Sequence, residues 1–219
     1  MKKVLLGLFA LSCVSLAAET NLYLRAGGDI WGEFDVIKDS EFPDDPDMND
    51  KDTDDFGWEI MFEATKEIYP NLELGFGIGY QDHGKPKSHT YVDPEYTIEF
   101  EMPDYTSIPL YMTAKYNFNS INNFTPYLKA NLGYSFNDND GDIDYYDTQD
   151  GKGKIKFEVD DGLYCGIGGG FEYNNFIVDL MYQLNKTDGE VKIEEDKFDG
   201  DYDYSRVTLS FGYKFDLNF

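Results

Sequence analysis

Residues 204–219 of this chain have the sequence YSRVTLSFGYKFDLNF. From Val207 onward every second residue is apolar or aromatic, and the residues between them are polar, charged or glycine. A period of two indicates a β-strand with one apolar face and one polar face. The alternation is longer than most strands of soluble sheets, and it slightly exceeds the roughly 9–11 tilted residues that cross a bilayer. We therefore expect a membrane-crossing strand, and the rest of the chain must supply the other strands of a closed barrel.

Seven earlier segments show the same alternation. They are residues 22–34, 56–64, 72–81, 108–118, 127–136, 163–173 and 176–185. The first of them places Leu22 and Phe34 on its apolar face. Eight strands are an even number and the smallest size common among bacterial outer-membrane barrels. The pattern predicts an all-β fold, an eight-stranded antiparallel up-and-down transmembrane β-barrel.

The connections between these segments alternate in length. The long ones are residues 35–55, 82–104, 137–161 and 186–203. Short periplasmic turns and long extracellular loops are typical of transmembrane barrels. We therefore expect both termini in the periplasm and the long loops outside the cell.

The N-terminus has the features of an export signal. Met1, Lys2 and Lys3 form a short cationic start, residues 4–16 are mostly apolar, and small residues follow. These features predict a secretory signal peptide over residues 1–18 and a barrel domain over residues 19–219. Only Cys165 remains after cleavage, which excludes an intramolecular disulfide. The mean hydropathy of −0.53 does not contradict a membrane barrel, because half of its strand residues face a polar interior.

Acidic residues are concentrated in the long loops. The chain has 43 acidic and 18 basic residues, and the four loops hold 33 of the acids against 10 lysines. We interpret the loops as solvated surface whose charge repels like-charged neighbours. The alternative is divalent-cation binding by the carboxylates of residues 138–142 or 44–55, although neither segment has EF-hand spacing. So acidic an exterior disfavours nucleic-acid or heparin-like partners.

Charged residues on the polar parity of the strands are nearly balanced in sign. The basic ones are Arg25, Lys115, Lys129, Arg206 and Lys214, and the acidic ones are Asp29, Glu59, Glu63, Glu73, Glu172 and Asp179. Unpaired charges in a narrow interior would be costly to desolvate, so we expect ion pairs there. The interior of an eight-stranded barrel is just wide enough for side chains to fill. This predicts a filled lumen.

Two long loops keep a strand-like alternation. The apolar positions are Tyr96, Ile98, Phe100 and Met102 in one loop and Ile155, Phe157 and Val159 in another. Strands could therefore extend beyond the membrane as a partly apolar sheet. Such a sheet could pair with an extended partner segment, or its hairpins could pack only on each other.

Several strands resemble those of a known family. The segments SIPLYMTAKY (107–116) and TPYLKANLGY (125–134) are similar to the strands of small outer-membrane barrels of Gram-negative bacteria, including the OmpA barrel domain and the OmpX/Ail group. In the last strand, the residues that resemble the signal read by the barrel assembly machinery are Ser210, Gly212, Phe215, Leu217 and Phe219. The resemblance implies an outer-membrane protein in contact with lipid. The resemblance is one of strand pattern, which indicates the fold and does not identify a function. We expect no peptidoglycan-binding domain of the OmpA kind beyond the last strand, so the resemblance does not imply cell-wall anchoring.

Catalytic residues are sparse. The two histidines, His83 and His89, lie in the second long loop near Asp82 and Ser88, and loop histidines are usually solvated. Cys165 lies on the apolar parity, where it is a small lipid-facing residue. We expect a non-enzymatic monomer without cofactor that serves envelope structure or surface interaction. The alternatives are a small-solute or ion channel and, third, a lipid hydrolase or acyltransferase that uses a Ser, His and acid set.

Overall fold

The computed structural model describes residues 20–35, 53, 56–92, 97–101, 103–139, 141–148, 151–193 and 196–217. The predicted signal peptide and Phe219 lie outside these residues. The strands are β1 (Thr20–Asp35), β2 (Trp58–Tyr69), β3 (Leu72–Asp82), β4 (His89–Val92), β5 (Thr97–Glu101), β6 (Tyr105–Asn117), β7 (Phe124–Asn139), β8 (Ile143–Asp147), β9 (Gly151–Val159), β10 (Gly162–Tyr173), β11 (Phe176–Lys186), β12 (Asp188–Ile193), β13 (Asp196–Asp201) and β14 (Asp203–Leu217). The described residues include no membrane-spanning helix.

Eight long strands close into a barrel. Their order around the wall is β1, β14, β11, β10, β7, β6, β3 and β2. Every pairing is antiparallel, and β1 pairs with both β2 and β14 to complete the ring. The predicted eight-stranded antiparallel barrel is confirmed.

Side chains alternate between the interior and the outer wall. On β14, Arg206, Thr208 and Ser210 are buried, whereas Phe211 and Phe215 are exposed. Aromatic residues near the strand ends are exposed on the wall, and they include Trp58, Tyr80, Tyr116, Phe118, Phe124, Tyr173 and Phe176. Buried charges inside and exposed apolar side chains outside are the reverse of the arrangement in a soluble domain. A lipid-facing wall accounts for this arrangement.

One part of the predicted face assignment is wrong. The register between β1 and β14 shifts between Asp29 and Trp31. Ile30 and Trp31 are consecutive residues, and both are exposed, at 62% and 43%. The extra residue reverses the parity of the rest of the strand. Phe34, predicted on the apolar outer face, is therefore fully buried.

The short turns are built on asparagine. Asn71, Asn122, Asn123 and Asn174 have φ angles of 69°, 52°, 65° and 54°. Asparagine tolerates this left-handed region better than most residues other than glycine. The turns occur where the sequence predicted them, after β2, β6 and β10.

Three of the long connections form a second sheet. The six strands are ordered β13, β12, β9, β8, β5 and β4, and we call them the loop sheet. β5 and β9 confirm the strand-like alternation predicted in two of the loops. The acid-rich strands β8, β12 and β13 were not predicted. The hairpins of the three loops pack on each other, because β5 pairs with β8 and β9 pairs with β12 to form one sheet.

A hydrophobic cluster lies between the loop sheet and the barrel, and we call it the aromatic cluster. Its buried members are Phe34, Tyr105, Ile143, Phe157, Val159, Tyr202 and Tyr204. The ring centroids of Phe34 and Tyr204 lie 4.4 Å apart, and those of Phe157 and Tyr202 lie 5.1 Å apart. The cluster brings together residues of β1, β6, β8, β9 and β14 and thereby ties the loop sheet to the barrel.

Candidate functional site

The interior of the barrel contains charged side chains in three layers. The layer nearest the short turns is centred on Lys115, whose Nζ contacts the Glu172 carboxylate and lies 3.8 Å from Glu73 Oε1. The Tyr23 hydroxyl donates to Glu73 at 2.8 Å. Lys214, which is partly buried, lies 3.8 Å from Glu172. This layer therefore pairs two lysines with two glutamates.

The middle layer pairs two cations with two acids. Arg25 contacts Glu63, and its Nε lies 3.0 Å from Asp179 Oδ2. Lys129 Nζ lies 3.0 Å from Glu63 and 3.6 Å from Asp179. All four side chains are buried. Because each cation contacts both acids, the four groups form a closed quartet rather than two separate pairs.

Two tyrosines complete the middle layer. Tyr111 donates to Glu63 at 2.8 Å, and Tyr127 donates to Asp179 at 2.9 Å. The Tyr127 ring also lies 4.5 Å from Lys115 Nζ in the first layer, a cation–π contact. Tyr127 therefore connects the two layers.

The third layer contains one cation and two acids. Arg206 Nη2 lies 2.8 Å from Glu59, and its Nη1 lies 3.4 Å from Asp29. Gln81 and Gln183 donate to Glu59 at 3.1 Å and 3.0 Å. The amide donors satisfy the lone pairs that a single arginine leaves open on the Glu59 carboxylate.

His83 lies above the third layer and is fully buried, contrary to the expectation of a solvated loop histidine. Its Nε2 lies 2.6 Å from Ser107 Oγ, and that hydroxyl donates to Asn137 Oδ1 at 2.6 Å. Its ring packs on Tyr105, with the centroids 4.4 Å apart. The predicted neighbour Ser88 is exposed and is not part of this chain of contacts. His83 lies in a long connection of the sequence, but the aromatic cluster covers it and excludes solvent from its ring.

All ten predicted ion-pair residues face the interior, and the structure brings them together in these three layers. Tyrosines and amides that sequence reasoning did not select complete the contacts, and they are Tyr23, Tyr111, Tyr127, Tyr164, Gln81, Gln183 and Asn185. Their position on the polar parity of each strand is the signal that could have identified them.

Residues of the predicted assembly signal lie on the last strand. Ser210 is buried in the interior, and Phe215 is exposed on the wall. Gly212 pairs with Arg25 of β1 at the closure of the ring. Phe219 lies outside the described residues.

Ion pairs also hold the loop sheet. Glu190 accepts hydrogen bonds from Lys192 and Lys197, and these bonds hold its pKa below the usual value, with the larger effect from Lys192. Hydrogen bonds to Glu158 and Glu190 raise the pKa of Lys192. These groups join β9, β12 and β13 across the exposed face of the sheet.

The predicted cation sites fall largely outside the described residues, since Asp140 and residues 44–52 are not among them. Within the described part of the chain, no group of three or more His, Cys, Asp or Glu side chains is arranged to hold a metal ion.

The chain has recognisable relatives. The sequence pattern of the outer membrane protein beta-barrel domain family matches residues 4–215. The uncharacterized protein PM1543 of Pasteurella multocida (strain Pm70) is 29% identical over 242 residues, with 98% of each chain covered.

Two solved structures are similar to this barrel. The outer membrane protein AlkL in DMPC lipid bilayers has a TM-score of 0.51 at 16% identity, with 91% of each chain covered. OprG of Pseudomonas aeruginosa has a TM-score of 0.48 at 12% identity, with 91% of this chain and 96% of that chain covered. At such identities the likeness to AlkL supports the fold alone. The family match over almost the whole chain, together with the closed barrel, shows that this chain belongs to the outer membrane protein beta-barrel domain family.

Proposed function

We propose that this chain is a closed, non-enzymatic outer-membrane barrel that holds the loop sheet at the cell surface as an interaction surface. The observation that carries the proposal is the filling of the interior by three successive layers of paired charges. A barrel that serves only to anchor and orient a surface sheet has no need of an open lumen.

The layers leave little room for solutes. Lys115, Arg25 and Arg206 are each buried, and each contacts acids from other strands across the interior. The aromatic cluster covers the end of the barrel at the loop sheet. Opening a path for solutes would separate several buried ion pairs. Removing one partner of a buried pair destabilises a protein by about 3–5 kcal/mol. This cost favours a closed barrel over the small-solute or ion channel.

The proposed orientation places the short turns in the periplasm and the loop sheet outside the cell. Its support is the difference in length between the two sets of connections, which is the usual asymmetry of bacterial barrels. The acid-rich loops would then face the medium, where their carboxylates are solvated. Outer-membrane lipid would contact the exposed apolar wall.

The hydrolase or acyltransferase alternative is disfavoured. His83 and Ser107 are close enough to interact, but both are fully buried. Ser107 donates its hydroxyl proton to Asn137, and the other ring nitrogen of His83 faces Arg206 at 3.5 Å instead of an orienting acid. A serine nucleophile needs a base that can accept its proton and a path for substrate.

The proposal includes assembly by the barrel assembly machinery. The last strand would present the signal, through Phe215 and Leu217 together with Ser210, Gly212 and Phe219. Ser210, Gly212, Phe215 and Leu217 stand on β14, the strand that closes the ring with β1. Closure at the last strand would then complete the barrel.

Single-channel recording in planar bilayers tests the closed lumen. We expect no steady conductance from the purified protein under conditions in which a known porin inserts and conducts. A reproducible conductance that changes in the Glu63→Gln or Lys115→Met variant would replace the proposed function by the channel.

A further inference from the structure

His83 lies where the charged interior of the barrel meets the aromatic cluster. It follows directly after β3, and its side chain is fully buried. The imidazole ring packs against Tyr105, with the centroids 4.4 Å apart, and against Tyr204, with the centroids 4.8 Å apart. Both tyrosines belong to the aromatic cluster. Burial between these rings favours the neutral imidazole, because a charged ring would lose its solvation without compensation.

The hydrogen bonds of His83 require the same neutral form. Nδ1 lies 3.5 Å from Arg206 Nη1, and a guanidinium can only donate, so Nδ1 must be unprotonated to accept. The proton of the ring is then on Nε2, which donates to Ser107 Oγ at 2.6 Å. That hydroxyl donates in turn to Asn137 Oδ1 at 2.6 Å. A second proton on the ring would therefore turn the acceptor that faces Arg206 into a donor.

Among the described residues, the groups around His83 offer no free negative charge to a protonated ring. Burial, and after it the charge of Arg206, hold the pKa of the imidazole well below its usual 6.5. Asp29 and Glu59 are both in contact with Arg206, at 3.4 Å and 2.8 Å. Asp82, which precedes His83 in the chain, accepts a hydrogen bond from a backbone amide at 3.1 Å. The phenols of the two tyrosines are uncharged below a pH of about 10, so a proton on His83 would place two cationic groups side by side beneath the aromatic cluster.

His83 also connects the barrel interior to the base of the loop sheet. Asn137, which accepts from the hydroxyl that His83 contacts, donates through Nδ2 to the backbone carbonyl of Asp160 at 2.7 Å. Asp160 directly follows β9, and the hydroxyl of Thr187, the residue before β12, donates to the same carbonyl. The hydrogen bonds therefore run from Arg206 through His83 to the ends of two loop-sheet strands that lie nearest the barrel.

We propose that His83 is an acid-sensitive latch, which holds the loop sheet on the barrel while its ring is neutral and releases the sheet when the ring takes up a proton. On release, the aromatic cluster separates from the third layer and the His83 ring enters solvent, while the strands of the loop sheet stay paired with one another. The inference rests on the proposed display of the loop sheet at the cell surface. It does not depend on a closed lumen.

Acidification favours the released form of the sheet. A solvated histidine binds a proton with a pKa of about 6.5, whereas the buried His83 ring does so only at lower pH. Below a pH of about 6.5 the released form therefore binds one more proton than the attached form, and its population rises by up to about tenfold for each pH unit. Carboxyl groups with ordinary pKa values of about 4 take up little proton between a pH of about 6 and about 5. The response in this range therefore belongs to histidine.

Hydrogen exchange at the junction of barrel and loop sheet measures the release. The amide of His83 donates to the Tyr105 carbonyl at 3.3 Å, and the amide of Tyr202 donates to the Thr187 carbonyl at 2.8 Å. In purified protein in detergent micelles, the protection of both amides, corrected for the intrinsic dependence on pH, should fall about eightfold between a pH of about 6 and about 5. The ring resonances of isotope-labelled histidine should show His83 uncharged in the attached form throughout this range. Constant protection, or a charged ring in the attached form, would overturn the inference.

Two glutamine variants distinguish the two histidines of the chain. In His83→Gln, the side-chain oxygen can accept from Arg206 and the side-chain amide can donate to Ser107, but neither group titrates. We expect this variant to keep the protection of the wild type at neutral pH and to lose its fall on acidification. His89→Gln, which changes the histidine of β4, should respond as the wild type does.

Gel migration of boiled and unboiled samples verifies that both glutamine variants are folded. A fall in protection that persists in His83→Gln, or that disappears in His89→Gln, would overturn the latch. These results leave the conductance test of the closed lumen unaffected, because that test concerns the interior and not the attachment of the loop sheet.

Discussion

Arg206 of β14 contacts Glu59 of β2 at 2.8 Å, although 147 residues separate them in the chain. The two strands are not neighbours in the wall, because β1 lies between them. The contact therefore spans the interior and connects the first hairpin of the barrel with its last strand.

Replacing Arg206 with Met should destabilise the barrel strongly. Glu59 and Asp29 would remain buried without their cation, and removing one partner of a buried ion pair costs about 3–5 kcal/mol. The measurement is urea unfolding in detergent micelles, followed by the mobility shift of the folded barrel on gels. The exposed Lys66→Ala variant is the control and should unfold like the wild type. Equal unfolding midpoints for the two variants would contradict the role assigned to the third layer.

Two glycines of β10 should differ in their tolerance of alanine. A Cβ at Gly168 would meet the Leu180 carbonyl oxygen and the Met181 backbone. At Gly166 the nearest atoms, including Met181 Cε, lie 3.5 Å away or further. We expect Gly168→Ala to cost about 1–3 kcal/mol through overpacking, whereas Gly166→Ala unfolds close to the wild type. The comparison uses the same urea titration, and a tolerated Gly168→Ala would show that the wall can shift there.

Truncating Phe157 to Ala should loosen the loop sheet while the barrel stays closed. Phe157 is 2% exposed and packs edge-on against Tyr202 in the aromatic cluster. Losing a core phenylalanine costs about 3–5 kcal/mol, and here the loss is confined to the end of the barrel. Limited proteolysis should cut the loop sheet faster, with gel mobility of the folded barrel retained. Ile121→Ala, at a residue that is 71% exposed, should leave the digestion pattern unchanged.

Acidification should loosen the hairpin of β12 and β13. Hydrogen bonds from Lys192 and Lys197 lower the pKa of Glu190 from its usual 4.5. A carboxyl with a lowered folded-state pKa stabilises the fold above its usual pKa, and this contribution is lost as the pH falls through the lowered value. Hydrogen exchange at Val191, corrected for the intrinsic dependence on pH, should show less protection at pH of about 3 than at about 7. In the Glu190→Gln variant, the protection of Val191 should already be reduced at neutral pH. If that variant still loses protection on acidification as the wild type does, a group other than Glu190 is responsible.

The period-two pattern was sufficient to predict eight strands, their order along the chain and the parity of the interior. Alternation is a local property of a strand, so Arg25, Glu63 and Lys129 could be assigned to the polar face without knowledge of their neighbours. The positions of the short turns were predictable for the same reason, because each lies between two alternating segments that are close together in the chain.

The extra residue near Trp31 turns the Phe34 side chain from the outer wall to the interior. No feature of the amino-acid composition predicts such a bulge. The strands β8, β12 and β13 were hidden because their outward residues are mostly charged, and their stability comes from pairing with strands that are distant in the chain. The residues of a strand do not indicate which distant strand it pairs with.

Alternating hydrophobicity along the chain is enough to specify a membrane barrel, since it dictates which side chains face lipid and which face inward. The pairing of acids with bases, the burial of His83 beneath the aromatic cluster and the joining of three loops into one sheet became visible in the folded chain. The physical reason is that those contacts depend on closure of the ring, which sets residues such as Arg206 and Glu59 against each other across the interior.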